Sequence, residues 1–188
     1  MVACNVSTEK AKLEQIALGT NILNWLAYQG LEAKVQKDPK KRLDYEAIVE
    51  LFSLQDKGYV ILAGPDQAWR EVENTTDESK KAKLLDAWAR TKKKYCLTRF
   101  PINLKDGAYW VTEATEYKLK QYLNFSRTKK ERKDLEVLAT VAIAGFTIFV
   151  TVDYNLLANK RIRNFILQED NIDIYRPVQI LEGLSYLR

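Results

Sequence analysis

Two stretches of the chain, Tyr59-Val-Ile-Leu-Ala63 and Thr147-Ile-Phe-Val-Thr-Val152, are nearly continuous apolar runs, the first bounded by Gly58 and Gly64-Pro65, the second by Gly145 and Asp153. Each is too short for a helix and lacks the alternation of a strand with one wet face, so each predicts a strand buried on both sides. A strand covered twice needs helices above and below it, and parallel sheets provide them because every crossover lays a helix on one face. The intervening sequence carries that helical period. Gln15–Leu18 is a shorter apolar run, followed by Gly-Thr-Asn and then Ile22, Leu23, Trp25 and Leu26 at helical spacing; Leu135, Val137, Leu138, Val141 and Ala142 line a helix ending near Gly145. The expected class is α/β, a central parallel sheet with right-handed crossovers.

The remaining elements follow from the same signals. Asp44 is expected to cap a helix through Leu54 that buries Ile48, Leu51, Phe52 and Tyr45, with Gly58 closing it. A helix with Pro65 in its entry and Trp69 and Val72 on its inner face should follow the second strand. Thr75–Thr98 reads as a long Lys-rich helix with Leu84, Leu85 and Trp88 inward, and Glu113–Tyr122 as another, so Thr75–Lys130 is expected to be a helical elaboration outside the sheet. Beyond Asp153 come a helix with Leu156, Leu157, Ile162 and Ile166, a short strand Ile172–Tyr175, and a last segment after Pro177. With 188 residues, 46% of them hydrophobic and 29% charged, residues 1–188 are expected to form one domain.

The chain has no histidine. That removes Ser-His-Asp and Cys-His catalysis and imidazole metal sites together, leaving carboxylates, hydroxyls, lysine or a metal held through oxygen. Cys4 and Cys96 form no CxxC pair, the first residues are polar, and no apolar run reaches the roughly eighteen residues of a membrane span, so a reduced, cytoplasmic protein without membrane contact is expected. A net charge of +5 permits a polyanionic partner.

In parallel α/β sheets ligands sit at the carboxyl ends of the strands. The residues placed there are Gly19, Thr20 and Asn21, then Glu71 and Glu73, then Asp134 and Glu136 at a helix start, then Asp153. Acids far apart in sequence thus approach one edge of the sheet. Like charges gathered in a cleft repel, and a hard cation such as Mg²⁺ or Mn²⁺ relieves the repulsion while activating water without histidine. Taken singly the same residues have ordinary readings: Asp134 as a helix N-terminal charge, Asp153 as a loop residue, Glu71 as an exposed helix residue, Glu136 as a solvent residue.

Leu18-Gly-Thr-Asn-Ile-Leu23, Trp69-Arg-Glu-Val72, Lys133-Asp-Leu-Glu-Val-Leu-Ala-Thr140 and Ile148-Phe-Val-Thr-Val-Asp153 resemble, in order, the signature segments of PIN-domain nucleases. The resemblance runs from Gln15 to about Val178 and implies a PIN-like three-layer α/β/α domain with an enlarged helical middle section. It assigns metal-binding roles to Asp134, Asp153 and Glu71, with Glu73 a neighbouring alternative, and site-orienting roles to Thr151 and Asn21. It further implies one or two Mg²⁺ or Mn²⁺ ions and hydrolysis of RNA phosphodiesters. The departure is Gly19, which stands where the family has its first aspartate. Loss of that ligand implies weaker metal binding and a weakened or inactive ribonuclease, either through decay of the site in a protein now used for binding or through an Asp→Gly change in an otherwise active enzyme. Lys160, Arg161 and Arg163 are the first candidates for phosphate contact, ahead of the runs Lys37–Arg42, Lys92–Lys94 and Lys129–Lys133; Tyr109 and Trp110 are candidates for base stacking. Family members in toxin-antitoxin pairs are held inactive by a small partner and often dimerise, so an antitoxin-like protein and a homodimer are implied partners. Two other classes are a non-catalytic module binding RNA or protein, and phosphoryl transfer through an aspartyl phosphate, which Gly19 deprives of its natural nucleophile.

Overall fold

In the computed structural model, residues 13–27, 37–65, 72–95 and 113–184 are described. Successive side chains of β1 (Glu14–Leu18) point to opposite faces, and both faces are dry: Ile16, Ala17 and Leu18 are all buried. The chain continues through α1 (Thr20–Ala27), α2 (Pro39–Asp56), β2 (Val60–Pro65), α3 (Glu78–Ala89), β3 (Lys93–Tyr95), α4 (Glu113–Phe125) and α5 (Lys129–Ile143). It ends with β4 (Ile148–Val150), α6 (Tyr154–Ala158), α7 (Lys160–Asp170), β5 (Asp173–Tyr175) and α8 (Pro177–Gly183). The five strands form one sheet in the order β3-β2-β1-β4-β5, every pairing parallel. Ala17 lies opposite Ala63 of β2 and opposite Phe149 of β4, so β1 is the central strand.

Two cores sandwich this sheet. On one face Ala17, Ala63, Phe149 and Ile174 meet Tyr122 of α4, Leu135 and Leu138 of α5, and Ile162 and Ile166 of α7. On the other, Ile16, Leu18, Leu62 and Val150 meet Ile22 and Leu23 of α1, Ile48, Leu51 and Phe52 of α2, and Ile180 of α8. The result is a three-layer α/β/α arrangement. Each such fully buried aliphatic side chain contributes about 1.5–3 kcal/mol of transfer free energy. Tyr122 also donates to Asp170 at 2.5 Å and Lys118 pairs with the same carboxylate, tying α4 to α7. Among the described residues no helix is long and apolar enough to cross a membrane.

Several boundaries differ from the sequence expectation. The cap of α2 is Asp38, whose Oδ1 accepts from Lys40 N–H at 3.1 Å and Lys41 N–H at 3.4 Å, with Pro39 opening the helix. Asp44 is therefore not a cap; it sits inside the helix and is fully buried. Tyr45 is only partly buried, whereas Gly58, at φ +81°, closes α2 as its residue type predicts. Pro65 ends β2 rather than opening a helix, and the helix expected around Trp69 lies outside the described residues; Val72 is buried against Ala27, Leu84 and Ala87. The expectation of a purely helical stretch from Thr75 to Lys130 is corrected by β3, which joins the sheet edge beside β2. Its sequence, Lys-Lys-Tyr, has no apolar run because charged residues suit an edge strand. Buried Gln55 holds it in place: Oε1 accepts from Leu62 N–H at 3.0 Å and Lys92 N–H at 3.1 Å, and Nε2 donates to Arg90 O at 2.8 Å. Finally, α5 starts at Lys129 under a Thr128 cap (Oγ1 to Glu131 N–H, 3.1 Å), so Asp134 stands in its second turn rather than its first.

Among the described glycines, Gly64 leaves the least room for a side chain. A Cβ there would lie 2.7 Å from Thr91 Oγ1, a buried hydroxyl that donates to Trp88 O at 2.8 Å. Gly64→Ala is predicted to lower stability by about 1–3 kcal/mol, read as a lower urea midpoint at unchanged m. Gly183→Ala, whose Cβ meets nothing within 4 Å, serves as the control.

Candidate functional site

The strand order turns at one place. The chain builds outward from β1 through β2 to β3, then returns to the other side of β1 with β4 and builds outward again to β5. The helices that follow β1 and β4 pack on opposite faces of the sheet, and it is at such a switch point that parallel α/β sheets hold their ligands. The sequence puts Gly19 at one lip and Thr151–Asp153 at the other. Gly19 N–H donates to Val150 O at 2.8 Å and joins the two lips.

Asn21, in the first turn of α1, reaches across this junction. Its carboxamide meets the Thr151 hydroxyl at 3.1 Å through Nδ2 and 3.2 Å through Oδ1. Thr151 Oγ1 also accepts the N–H of Asp153 at 3.1 Å, and its side chain is buried, so the hydroxyl fixes the start of the loop that carries the aspartate. Gly19 faces the same pair. Its backbone is not in the left-handed region that Gly58 and Gly145 occupy, so glycine is not required there by φ. A Cβ on Gly19 would point at Asn21 Oδ1 (3.0 Å), Thr151 Oγ1 (3.2 Å) and the Phe149 ring (3.3 Å). A Cβ there requires these neighbours to give by a few tenths of an ångström.

Two carboxylates stand beside this junction. Asp153 caps α6: Oδ1 accepts from Asn155 N–H at 2.9 Å and Leu156 N–H at 3.2 Å, while Oδ2 lies 4.0 Å from Lys130 Nζ. Its structural role therefore occupies one oxygen and leaves the other turned to a lysine. Asp134 is half-buried, and burial first, then the charge of Asp153 and that of Glu131, push its carboxyl up to about 6 against the opposing pull of Lys130. Burial is the larger cause, and the charge of Asp153 adds a like-charge repulsion that Lys130 partly offsets. Among the described residues no group of three or more potential ligands assembles. Glu71, Trp69, Tyr109 and Trp110 lie outside the described residues; Glu73 is exposed, and Glu136 is partly buried on α5.

The basic candidates separate. Arg161 pairs with Glu131 at 2.7 Å, donates to Phe125 O at 2.9 Å and lies over the Phe125 ring at 4.4 Å, so its charge is taken up in joining α7 to the α4–α5 turn. Glu131 is held down to about 2, chiefly by that hydrogen bond and by Arg127 N–H. Lys160 and Arg163 line a groove of about 250 Å³ between α7 and β5, together with Leu167 and Asp173. The cation that does meet the acidic pair is Lys130, from the Lys129–Lys133 run. Lys40, from the Lys37–Arg42 run, lies over the ring of Tyr154, the residue after Asp153, at 4.5 Å. No family model matches this chain, and a search of curated proteins finds no match.

The raised Asp134 carboxyl sets a pH signature. Its ordinary value is 3.8, so between about pH 4 and 6 the folded chain holds a proton that the unfolded chain releases. Stability from this group is complete below that window and falls as pH rises through it. With divalent ions removed by EDTA, Asp134→Asn should raise the melting temperature at pH 8, by about 1 kcal/mol in free energy once solvent screening of a half-exposed group is allowed for, and leave it unchanged near pH 3.5. An equal effect at both pH values would show that Asp134 carries no such strain.

Proposed function

We propose that the chain is a PIN-like, metal-dependent ribonuclease scaffold whose activity is reduced by the missing carboxylate at position 19. The observation that carries this reading is the cradle at Gly19. A side chain there is permitted by the backbone and would point at Asn21 and Thr151, beside Asp134 and Asp153, at the switch in strand order. The four segments resembling the family supply these same residues.

In this reading Asp134 and the uncapped oxygen of Asp153 would hold a hard divalent cation, with Glu71 as the further ligand the resemblance assigns. Mg²⁺ or Mn²⁺ bound there supplies charge to polarise a phosphoryl oxygen and to activate water. Thr151 and Asn21 fix the geometry: the hydroxyl holds the Asp153 amide, and the carboxamide holds the hydroxyl. Lys130 offsets part of the negative charge of the pair, and its exposed ammonium would be a phosphate contact in this reading. Losing the carboxylate at 19 removes one inner-sphere oxygen and one negative charge, which weakens the site without disturbing the fold.

A second reading, a non-catalytic module that binds RNA or a protein, is favoured by one observation: Oδ1 of Asp153 is already spent on the α6 cap. The two separate on one assay. This chain and its Gly19→Asp variant are compared on fluorescent single-stranded and structured RNA in Mn²⁺ or Mg²⁺, and again in excess EDTA. Cleavage by Gly19→Asp, at least about tenfold faster than by this chain and abolished by EDTA, is expected. Absence of cleavage by both across a broad RNA set, with Gly19→Asp folded, would overturn the ribonuclease reading and favour the binding module.

A further inference from the structure

Asp44 is the most costly residue in the fold to explain. It is an acid in the middle of α2 with no exposed surface, and a buried charge needs close partners to be tolerated. Its partners come from two other places in the chain. Tyr154 Oη donates to Asp44 Oδ2 at 2.6 Å, and Arg176 donates to the same oxygen from Nε at 3.2 Å and from Nη2 at 3.1 Å. Arg176 Nη2 also donates to Lys40 O at 3.4 Å. Burial and the Asp44 hydrogen bond raise the tyrosine hydroxyl's pKa, so it remains a donor. No described group donates to Asp44 Oδ1.

The position of these partners gives the cluster meaning. Tyr154 is the first residue of α6, and Arg176 directly follows β5, so both sit at the carboxyl edge of the sheet. Asp153 and Tyr154 are consecutive and are held from different sides. The Asp153 amide is bound by Thr151, and its carboxylate lies near Lys130 of α5; the Tyr154 hydroxyl is bound to Asp44 of α2, which Arg176 in turn holds from the β5–α8 junction. If holding α2, α6 and α8 together were all that was needed, apolar side chains would do so without desolvating two charges. A charge-assisted bond to a phenol fixes an atom's position more tightly than apolar packing does.

We propose that Asp44, Tyr154 and Arg176 form a clamp that positions Asp153 for the divalent cation, acting through the backbone of residues 153–154. The inference rests on the functional reading above, and the three are positioning residues that themselves touch neither metal nor RNA. Partners of this kind around a metal site typically change affinity or activity 10- to 100-fold when removed.

The test uses the full-length Gly19→Asp protein with and without Tyr154→Phe, which deletes one hydroxyl and keeps the ring. Mn²⁺ affinity is measured by electron paramagnetic resonance, hydrogen exchange of the Asp153 amide is measured without metal, and kcat and KM are measured on RNA. The clamp predicts a Mn²⁺ dissociation constant raised about tenfold or more, faster exchange at Asp153 with unchanged exchange in β1, and a fall in kcat at constant KM. Should Tyr154→Phe fail to fold, Arg176→Lys, which keeps a cation beside Asp44 and loses the two-nitrogen contact, is measured the same way with the same expectation. Mn²⁺ affinity within twofold of the Gly19→Asp parent in a folded variant would overturn the clamp and leave the ribonuclease reading standing. A Gly19→Asp parent that neither binds Mn²⁺ nor cleaves would sink the reading on which the clamp rests, and the clamp with it.

Discussion

The parallel pairing of β1 with β4 is the constraint on which the rest of the structure depends. It makes β1 the central strand, buries Ile16, Ala17 and Leu18 on alternate faces, and puts Gly19 against Val150 through a 2.8 Å hydrogen bond. Residues 130 positions apart, Asn21 and Thr151, then become hydrogen-bonded neighbours. Neither could recognise the other through local sequence; only the crossover that returns the chain to β1 brings them together. A sheet that reverses direction of growth at its central strand opens a crevice there as a matter of topology, before any side chain is considered.

Asp134 approaches Asp153 from α5, and its carboxyl is displaced upward because burial and a like charge both disfavour ionisation. Lys130 moderates that repulsion without making a close pair, at 4.0 Å from Asp153. By contrast, Glu131, one residue further along α5, is saturated by Arg161, Arg127 N–H and Asn159 and is a structural acid. Two acids of one helix thus have carboxyls displaced in opposite directions, Asp134 upward and Glu131 downward. On the other side of the sheet the fully buried Asp44 is partnered through one oxygen, Oδ2, by Tyr154 and Arg176 from the carboxyl edge.

The parts of this arrangement that were legible in the sequence are those with a local signal. The buried strands β1, β2 and β4 announce themselves as apolar runs, β5 as a short strand ahead of Pro177, and Gly58 announces the end of α2 through its conformational freedom. The elements that were not legible lack such a signal. β3 is three residues long and starts with two lysines, and it owes its place to Gln55, a residue 38 positions before Lys93 that carries no strand information. Asp44 looks like a helix cap because Asp often is one; its true role depends on Tyr154 and Arg176, more than a hundred residues away. Arg161 belongs to a basic run, yet Phe125 and Glu131 absorb it, which no count of charges foretells. That Asn21, Thr151 and Asp153 neighbour one another was readable because strand ends in a parallel sheet share one edge.

The central claim is that position 19 is a vacant ligand position in a carboxylate site made by β1, α5 and β4. It is tested most directly by Mn²⁺ titration, followed by electron paramagnetic resonance, of three proteins: this chain, Gly19→Asp, and Gly19→Asp combined with Asp134→Asn. The account predicts that Gly19→Asp binds Mn²⁺ at least about tenfold more tightly than this chain and that adding Asp134→Asn removes the gain. Equal Mn²⁺ affinity in all three folded proteins would contradict it.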